Sequence, residues 1–372
     1  MTEERRALLI EAIAIVTLSV GIIGYNYIKS QNIPCPPAAS VYATNIPAPT
    51  IAPIASPAAQ LWGDAAFNFH ISTVLPNGHD FILDDSYPDG SMLVGSEQVC
   101  NSSIVSTYTV ATGTIRHWHT LVDGGNERTD GRYIAWVTGT GYSGADPVPR
   151  QLVGYIDTQT GKVTTLLDQE YASVGADFAV ANGYFIWSSH KMHITNMATG
   201  NTKALAISGY IVRLDWPNLL YADFSSTNQR FNTVYHLYNL ETDQNNTILS
   251  TSKRYLPLHL QGTTFYWFDD KHQIQQMDHA DLPNPQSHVL FTLPDVPTTN
   301  PEVTDRLIIW SENAHVYAWD RVLHQKILLP IPPLPYSTDP AIPLILGKVI
   351  LLYNQGGYTI VDTAKLPTTV TP

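Results

Sequence analysis

From Leu61 onward, apolar and polar positions recur in one order: a turn, an apolar strand ending in an aromatic, a loop, an alternating strand, a polar turn and a further strand. The apolar strand reads Asp130-Gly131-Arg132-Tyr133-Ile134-Ala135-Trp136 and then Asn182-Gly183-Tyr184-Phe185-Ile186-Trp187. It returns as Asn218-Leu219-Leu220-Tyr221, Gly262-Thr263-Thr264-Phe265-Tyr266-Trp267, Asp305-Arg306-Leu307-Ile308-Ile309-Trp310 and Gly347-Lys348-Val349-Ile350-Leu351-Leu352-Tyr353. An earlier copy, Asp89-Gly90-Ser91-Met92-Leu93-Val94-Gly95, lacks the aromatic and brings the number to seven.

The hairpin that follows repeats as well. Thr109–Ile115, Tyr155–Val163 and Ile194–Thr202 each place a glycine in the turn, where positive φ is needed and glycine supplies it without steric cost. Leu237–Asp243, Tyr317–Asp320 and Ile360–Thr363 are degenerate copies. Residues 61–372, divided among seven units, give about 45 residues each. A strand-rich period of ~40–45 residues predicts four-stranded propeller blades. The expected fold is therefore all-β, a β-propeller of seven four-stranded blades, or six if the weak first or last unit is not a full blade.

Closure can be argued from proline chemistry. The last unit ends in Lys365-Leu366-Pro367-Thr368-Thr369-Val370, a poor outer strand because proline cannot donate to a ladder. Ala66–Ser72 alternates and precedes the first full repeat, so it is expected to pair with the last unit and remove the exposed edge.

The N-terminal pattern is different. Ala7–Ile28 is apolar apart from Glu11, Thr17, Ser19 and Asn26, and is long enough to cross ~30 Å of hydrocarbon as a helix. Tyr25, Tyr27 and Lys29 suit an interfacial anchor, and Arg5 and Arg6 favour a cytoplasmic N-terminus. The apolar run exceeds that of a cleaved secretory signal. From Ile33 to Ala59 come seven prolines and no charge, the composition of a polyproline-like spacer with a reach on the order of 80 Å. The organisation expected is a cytoplasmic stub (1–6), a transmembrane helix (7–28), a Pro/Ala-rich linker (29–60) and a propeller (61–372), with the propeller outside the cytoplasm.

Composition narrows the function. A charged fraction of 14% is low for a soluble domain, and the net charge of −12 argues against nucleic-acid binding, which needs a basic footprint. Two cysteines, Cys35 and Cys100, build neither a disulfide framework nor a four-cysteine zinc site.

Two resemblances follow from the motifs. The turn Tyr87-Pro88-Asp89-Gly90, the repeated Asp/Asn-Gly strand ending in Trp, and the Asp157–Gly161 hairpin resemble TolB-type and related bacterial β-propellers over essentially all of 61–372. That resemblance implies architecture rather than activity, since such propellers serve as binders, scaffolds, lyases and peptidase gating domains. The segment Arg6-Ala7-Leu8-Leu9-Ile10-Glu11 with its apolar helix resembles the N-terminus of type IV pilins. That resemblance implies Ala7 as mature first residue and Glu11 as an assembly glutamate paired with a neighbouring subunit's amino terminus. The chain departs from that pattern at Arg6, where the family has glycine. Alternatively Glu11 lies near the cytoplasmic interface of a plain anchor and snorkels or is neutralised.

Candidate chemistry is sparse. Gly141-Tyr142-Ser143-Gly144-Ala145 approaches G-x-S-x-G, but Ala145 replaces the last glycine and no strand-to-helix turn follows, so Ser143 is read as loop. His117 with His119, and His190 with His193, are close pairs without the third ligand that zinc requires. Asp84-Asp85-Ser86-Tyr87-Pro88-Asp89-Gly90 is carboxylate-dense but lacks calcium-loop spacing and is explained by turn chemistry. Asn101 and Asn245 head glycosylation sequons. No catalytic, cofactor-binding or metal residue is assigned, no cofactor is expected, and Glu11 is the single candidate assembly residue. The expected function is a membrane-anchored extracytoplasmic module that binds or scaffolds a protein or glycan. The alternatives are a pilin-like filament subunit that self-assembles through its N-terminal helix, and a propeller-fold lyase or hydrolase whose site is assembled from several blades.

Overall fold

The computed structural model describes residues 46–47, 62, 69–72, 79–99, 102–122, 125–138, 150–170, 177–189, 191–227, 230–251, 258–278, 286–293, 297, 301–312, 315–329, 343–346, 349–354 and 357–367. The expected anchor 7–28 with Glu11, most of the linker, Cys35, Cys100, Asn101, Ser143 and His190 lie outside the described residues. Among the described residues no helix is long and apolar enough to cross a membrane.

Two short strands come first, β1 (Ile46–Pro47) and β2 (Phe69–Ser72). Sheet 1 then comprises β3 (Asp80–Ser86), β4 (Met92–Val99), β5 (Ser102–Thr109) and β6 (Thr114–Val122). Sheet 2 holds β7 (Gly125–Thr129), β8 (Tyr133–Thr138), β9 (Arg150–Asp157) and β10 (Lys162–Glu170). Sheet 3 holds β11 (Phe178–Ala181), β12 (Tyr184–Ser188), β13 (Met192–Asn196) and β14 (Asn201–Ala204). Sheet 4 holds β15 (Tyr210–Asp215), β16 (Asn218–Thr227), β17 (Arg230–Asn239) and β18 (Asn245–Thr251). Sheet 5 holds β19 (His259–Gln261), β20 (Thr264–Phe268), β21 (Gln273–Asp278) and β22 (Ser287–Thr292). Sheet 6 holds β23 (Glu302–Val303), β24 (Leu307–Glu312), β25 (His315–Asp320) and β26 (Gln325–Leu328). Sheet 7 combines β27 (Pro343–Leu346), β28 (Val349–Asn354) and β29 (Gly357–Asp362) with β2.

Each sheet is an antiparallel meander, and the first strands of successive sheets touch from β3 round to β27. Seven apolar clusters fill the seams, one for each pair of neighbouring sheets. The seam between sheets 7 and 1 is among them, with Val349 and Ile360 against Phe81, Leu83 and Leu93. A ring of seven sheets, packed face to face and closed on itself, fits a β-propeller. The seven apolar runs picked out by periodicity are the second strands of the seven sheets.

The sequence pattern follows from this packing. A second strand is covered on both faces, so it reads as a continuous apolar run rather than an alternating one. In β8 every residue is buried, with Ile134 and Trp136 facing sheet 1 and Tyr133, Ala135 and Val137 facing sheet 3. Each such Ile, Leu or Phe contributes roughly 1.5–3 kcal/mol on burial. The hairpin glycines Gly113, Gly161 and Gly200 have φ of 66°, 73° and 76°, and in two degenerate copies Asp243 and His324 adopt the same left-handed region.

Closure occurs where expected. Phe69, His70, Ile71 and Ser72 pair antiparallel with Ile360, Thr359, Tyr358 and Gly357. Within the segment read as a spacer, Ile46 and Pro47 pair with Ile115 and Thr114 on the outer edge of sheet 1. Trp62 and the segment ending at Pro367 are tied together at Asp320, which is fully buried. It accepts hydrogen bonds from Trp62 Nε1 (3.1 Å), Arg306 Nη2 (2.7 Å) and the Val322 amide (2.9 Å), while Arg306 Nη2 also donates to the Pro367 carbonyl (2.5 Å).

Candidate functional site

Aligning the second strands on their terminal aromatic defines one level of the ring. The inner-strand residue paired with the position just before that aromatic is Arg128, opposite Ala135, and Ala179, opposite Ile186. It is Arg213 opposite Leu220, His259 opposite Tyr266, and Glu302 opposite Ile309. Sheet 1 places Asp85 there, opposite Val94, with Asp84 as the extra residue of a β-bulge between Leu83 and Asp85. Five of these six sheets thus carry a charged or titratable side chain on the innermost strand at one level.

The bulge depends on the copy that lacks its aromatic. A Cβ on Gly95 would fall 2.0 Å from the Ile82 carbonyl oxygen, so only glycine allows β3 to approach β4 this closely. Bulges re-aim side chains, and this one brings Asp84 beside Glu127 of the neighbouring sheet. Glu127 is wholly buried. Burial, reinforced by the neighbouring Asp84 carboxylate, holds its carboxyl well above the usual range. Burial also raises Asp84, against the opposing influence of Glu127 and of Arg128. Asp85 is pushed up to about 6 by burial, partly offset by Arg128 and by the Thr129 amide that it accepts at 2.7 Å. Arg128 joins three sheets: Nη1 donates to the carbonyls of Asp84 (3.0 Å) and Glu127 (2.9 Å), and the guanidinium lies 5.7 Å from the Phe178 ring centroid. Beyond it, partial desolvation raises the carboxyl of Asp177, which is solvent-exposed.

The other half of the belt links sheets 4, 5 and 6. His259 is 5% exposed, with Nδ1 lying 3.3 Å from Arg213 Nη1 and 3.4 Å from Glu302 Oε2. Arg213 and Glu302 are themselves 3.9 Å apart. Burial, then the Arg213 charge, lowers the His259 pKa, so the imidazole is neutral near pH 7. Its Nε2 has no hydrogen-bond partner among the described residues. With its second nitrogen uncommitted, this neutral imidazole can donate or accept a hydrogen bond at Nε2 according to which of Arg213 and Glu302 engages Nδ1.

The residues singled out by motif are distributed differently. His117 and His119 lie on β6, but Trp118 between them is bulged and their roles diverge. His117 Nε2 reaches Glu97 Oε2 at 2.8 Å, while His79 Nδ1 reaches Glu97 Oε1 at 2.5 Å. His119 stacks on Trp136 with centroids 5.2 Å apart. His193 stacks on Trp187 at 4.3 Å. No group of three His, Cys, Asp or Glu residues among the described ones is arranged to hold a metal ion. Pro88, Asp89 and Gly90 do form the tight turn, with Gly90 at φ 75° and its amide donating to the Tyr87 carbonyl. Asp84 and Asp85, by contrast, belong to the belt. Asn245 lies on β18 and donates Nδ2 to the Tyr221 hydroxyl at 2.7 Å.

Motif reading missed the belt, because its members are a blade apart. One signal existed: Asp85, Arg128, Arg213, His259 and Glu302 each stand two to four residues before the first turn of their repeat.

The geometry therefore defines an all-β ring of seven sheets that fits the propeller class, with charge gathered on its innermost strands. No protein-family model matches the chain, and no curated protein matches it. Among solved structures, a chain of the mitotic checkpoint complex aligns with TM-score 0.49 at 9% identity, covering 88% of this chain and 99% of that one. An uncharacterised protein, lmo1340 from Listeria monocytogenes EGD-e, aligns with TM-score 0.48 at 8% identity over 78% of this chain and 95% of that one. The computationally designed Ika8 protein aligns with TM-score 0.45 at 7% identity over 72% and 93%.

Proposed function

We propose that this chain is a membrane-anchored, extracytoplasmic β-propeller with a TolB-like repeat, held by the helix 7–28 on the linker 29–60, and that it binds or scaffolds a partner outside the membrane. The observation that carries the reading is the belt on the innermost strands. Burying titratable groups costs stability, and a ring could be closed more cheaply with apolar residues. Local violations of the packing rules concentrate at functional sites. Here they concentrate on the innermost strands of five sheets, where a partner's polar group can be met from several sides. Three of the seams are fastened by side chain-to-amide latches, which suits a rigid presenting surface. The test is protease shaving of intact cells that carry the protein. Removal of the 61–372 domain, leaving the membrane stub, is expected; a fully protected domain overturns the reading.

The alternative of a propeller lyase or hydrolase is favoured by one observation, the uncommitted Nε2 of His259 beside Glu302. It requires that a turnover found by substrate screening be abolished in His259→Gln with the fold intact. Unchanged turnover in that variant removes it.

A further inference from the structure

Four pairs of neighbouring sheets are latched at or just before their first turns, and the seam between sheets 3 and 4 is held differently. Asp85 accepts the Thr129 amide (2.7 Å) across seam 1–2, and Asp130 Oδ2 accepts the Gly183 amide (2.6 Å) across seam 2–3. Asp215 Oδ2 accepts the Gly262 amide (2.6 Å) across seam 4–5, and Gln261 Nε2 donates to Asp305 (2.9 Å) across seam 5–6. At seam 3–4 the first turn of sheet 4 is Trp216-Pro217, and a proline has no amide hydrogen to offer. Tyr184 and Trp216 stack there instead, with centroids 4.5 Å apart and planes 10° from parallel.

A cleft of about 580 Å³ opens at this seam, and a second of about 440 Å³ adjoins it through Lys203. That is the size range of small-molecule sites, roughly 300–1,000 Å³. Half-buried Tyr184 and Trp216 supply an aromatic wall, and the rim carries Asn201, Thr202, Lys203 and Glu241, all exposed. One cation and one anion leave the rim without net charge in a chain of net charge −12. Amides and hydroxyls both give and accept hydrogen bonds, which matches vicinal sugar hydroxyls, while an aromatic wall receives the C–H face of a pyranose.

We infer that the cleft between sheets 3 and 4 is a binding site for a neutral saccharide of one or two pyranose units. The inference rests on the binding-module reading above and names its ligand class and place, away from the belt.

The test uses the full chain in detergent micelles, titrated by calorimetry and by tryptophan fluorescence with cellobiose, maltose, lactose and N,N′-diacetylchitobiose. A digalacturonate and a synthetic peptide of residues 44–59 serve as acidic and proline-rich comparators. Saturable binding of at least one neutral disaccharide is expected, with a tryptophan signal. The double variant Asn201→Ala/Glu241→Ala, whose side chains are exposed and leave the core intact, should weaken it at least tenfold. Absence of saturable binding by all four neutral sugars, unchanged affinity in the double variant, or preference for the peptide or the acidic sugar overturns the inference. Protease shaving is read independently, so a surface-exposed domain with a null titration removes the saccharide site and leaves the binding-module reading standing.

Discussion

Two ion pairs occupy equivalent places in different sheets and differ in burial, which makes them a controlled comparison. Arg132 and Arg306 each precede the first residue of a second strand, and Asp157 and Asp320 pair with those first residues, Tyr133 and Leu307. Both carboxylates also cap the following turn, Asp157 through the Gln159 amide and Asp320 through Val322. The Arg132 and Asp157 side chains are 47% and 12% exposed, whereas Arg306 and Asp320 are 15% and 0% exposed. Asp320→Ala therefore strands a largely buried guanidinium, removes the Trp62 contact and loosens the hold on Pro367. Removing one partner of a buried pair costs about 3–5 kcal/mol. Asp157→Ala removes a solvent-screened pair worth about 0–1 kcal/mol, and since both variants lose the turn cap, that cost cancels in the difference. Urea unfolding of the purified chain, followed by tryptophan fluorescence, should show a midpoint for Asp320→Ala lower by about 1 M or more, taking a slope on the order of 3 kcal/mol per M. Midpoints that fall equally in the two variants would refute the claim that burial at the ring's closing point sets the cost.

Glu127→Gln should change the pH profile of stability. The native carboxyl is raised above its unfolded value of about 4.5, so its stabilising contribution is complete below that value and is lost as pH rises through the native pKa. With Asp84, Asp85, Arg128 and Asp177 around the site, the Gln variant removes the titrating carboxyl and loses that slope. Unfolding midpoints from pH 5 to 9 should decline less in the variant than in the wild type, and parallel profiles would count against a proton held at Glu127. Deleting residues 66–72 removes β2 and exposes the β29 edge, so a lower melting temperature and concentration-dependent association are expected by calorimetry and light scattering. A monomer with unchanged melting would place closure elsewhere.

The sequence by itself determined the repeat. A second strand covered on both faces must be apolar throughout, and a hairpin turn must reach positive φ, so Tyr133–Trp136 and Gly161 announce their places without tertiary information. The closing strand was legible for a similar reason, since Pro367 cannot serve as a ladder donor and Ala66–Ser72 alternates. Local chemistry also explains the Pro88-Asp89-Gly90 turn. Only the tertiary structure decided which charges meet. Asp84, Glu127 and Arg128 come together because a glycine at position 95 lets one strand bulge toward its neighbour. Arg213, His259 and Glu302 meet because three successive sheets present the same register position to the middle of the ring. Tyr184 and Trp216 stack at a seam where Pro217 lacks the turn amide that Gly183 and Gly262 donate across seams 2–3 and 4–5. Residues a blade apart carry no local signature of contact, since spacing along the chain becomes distance in space only after the ring has closed.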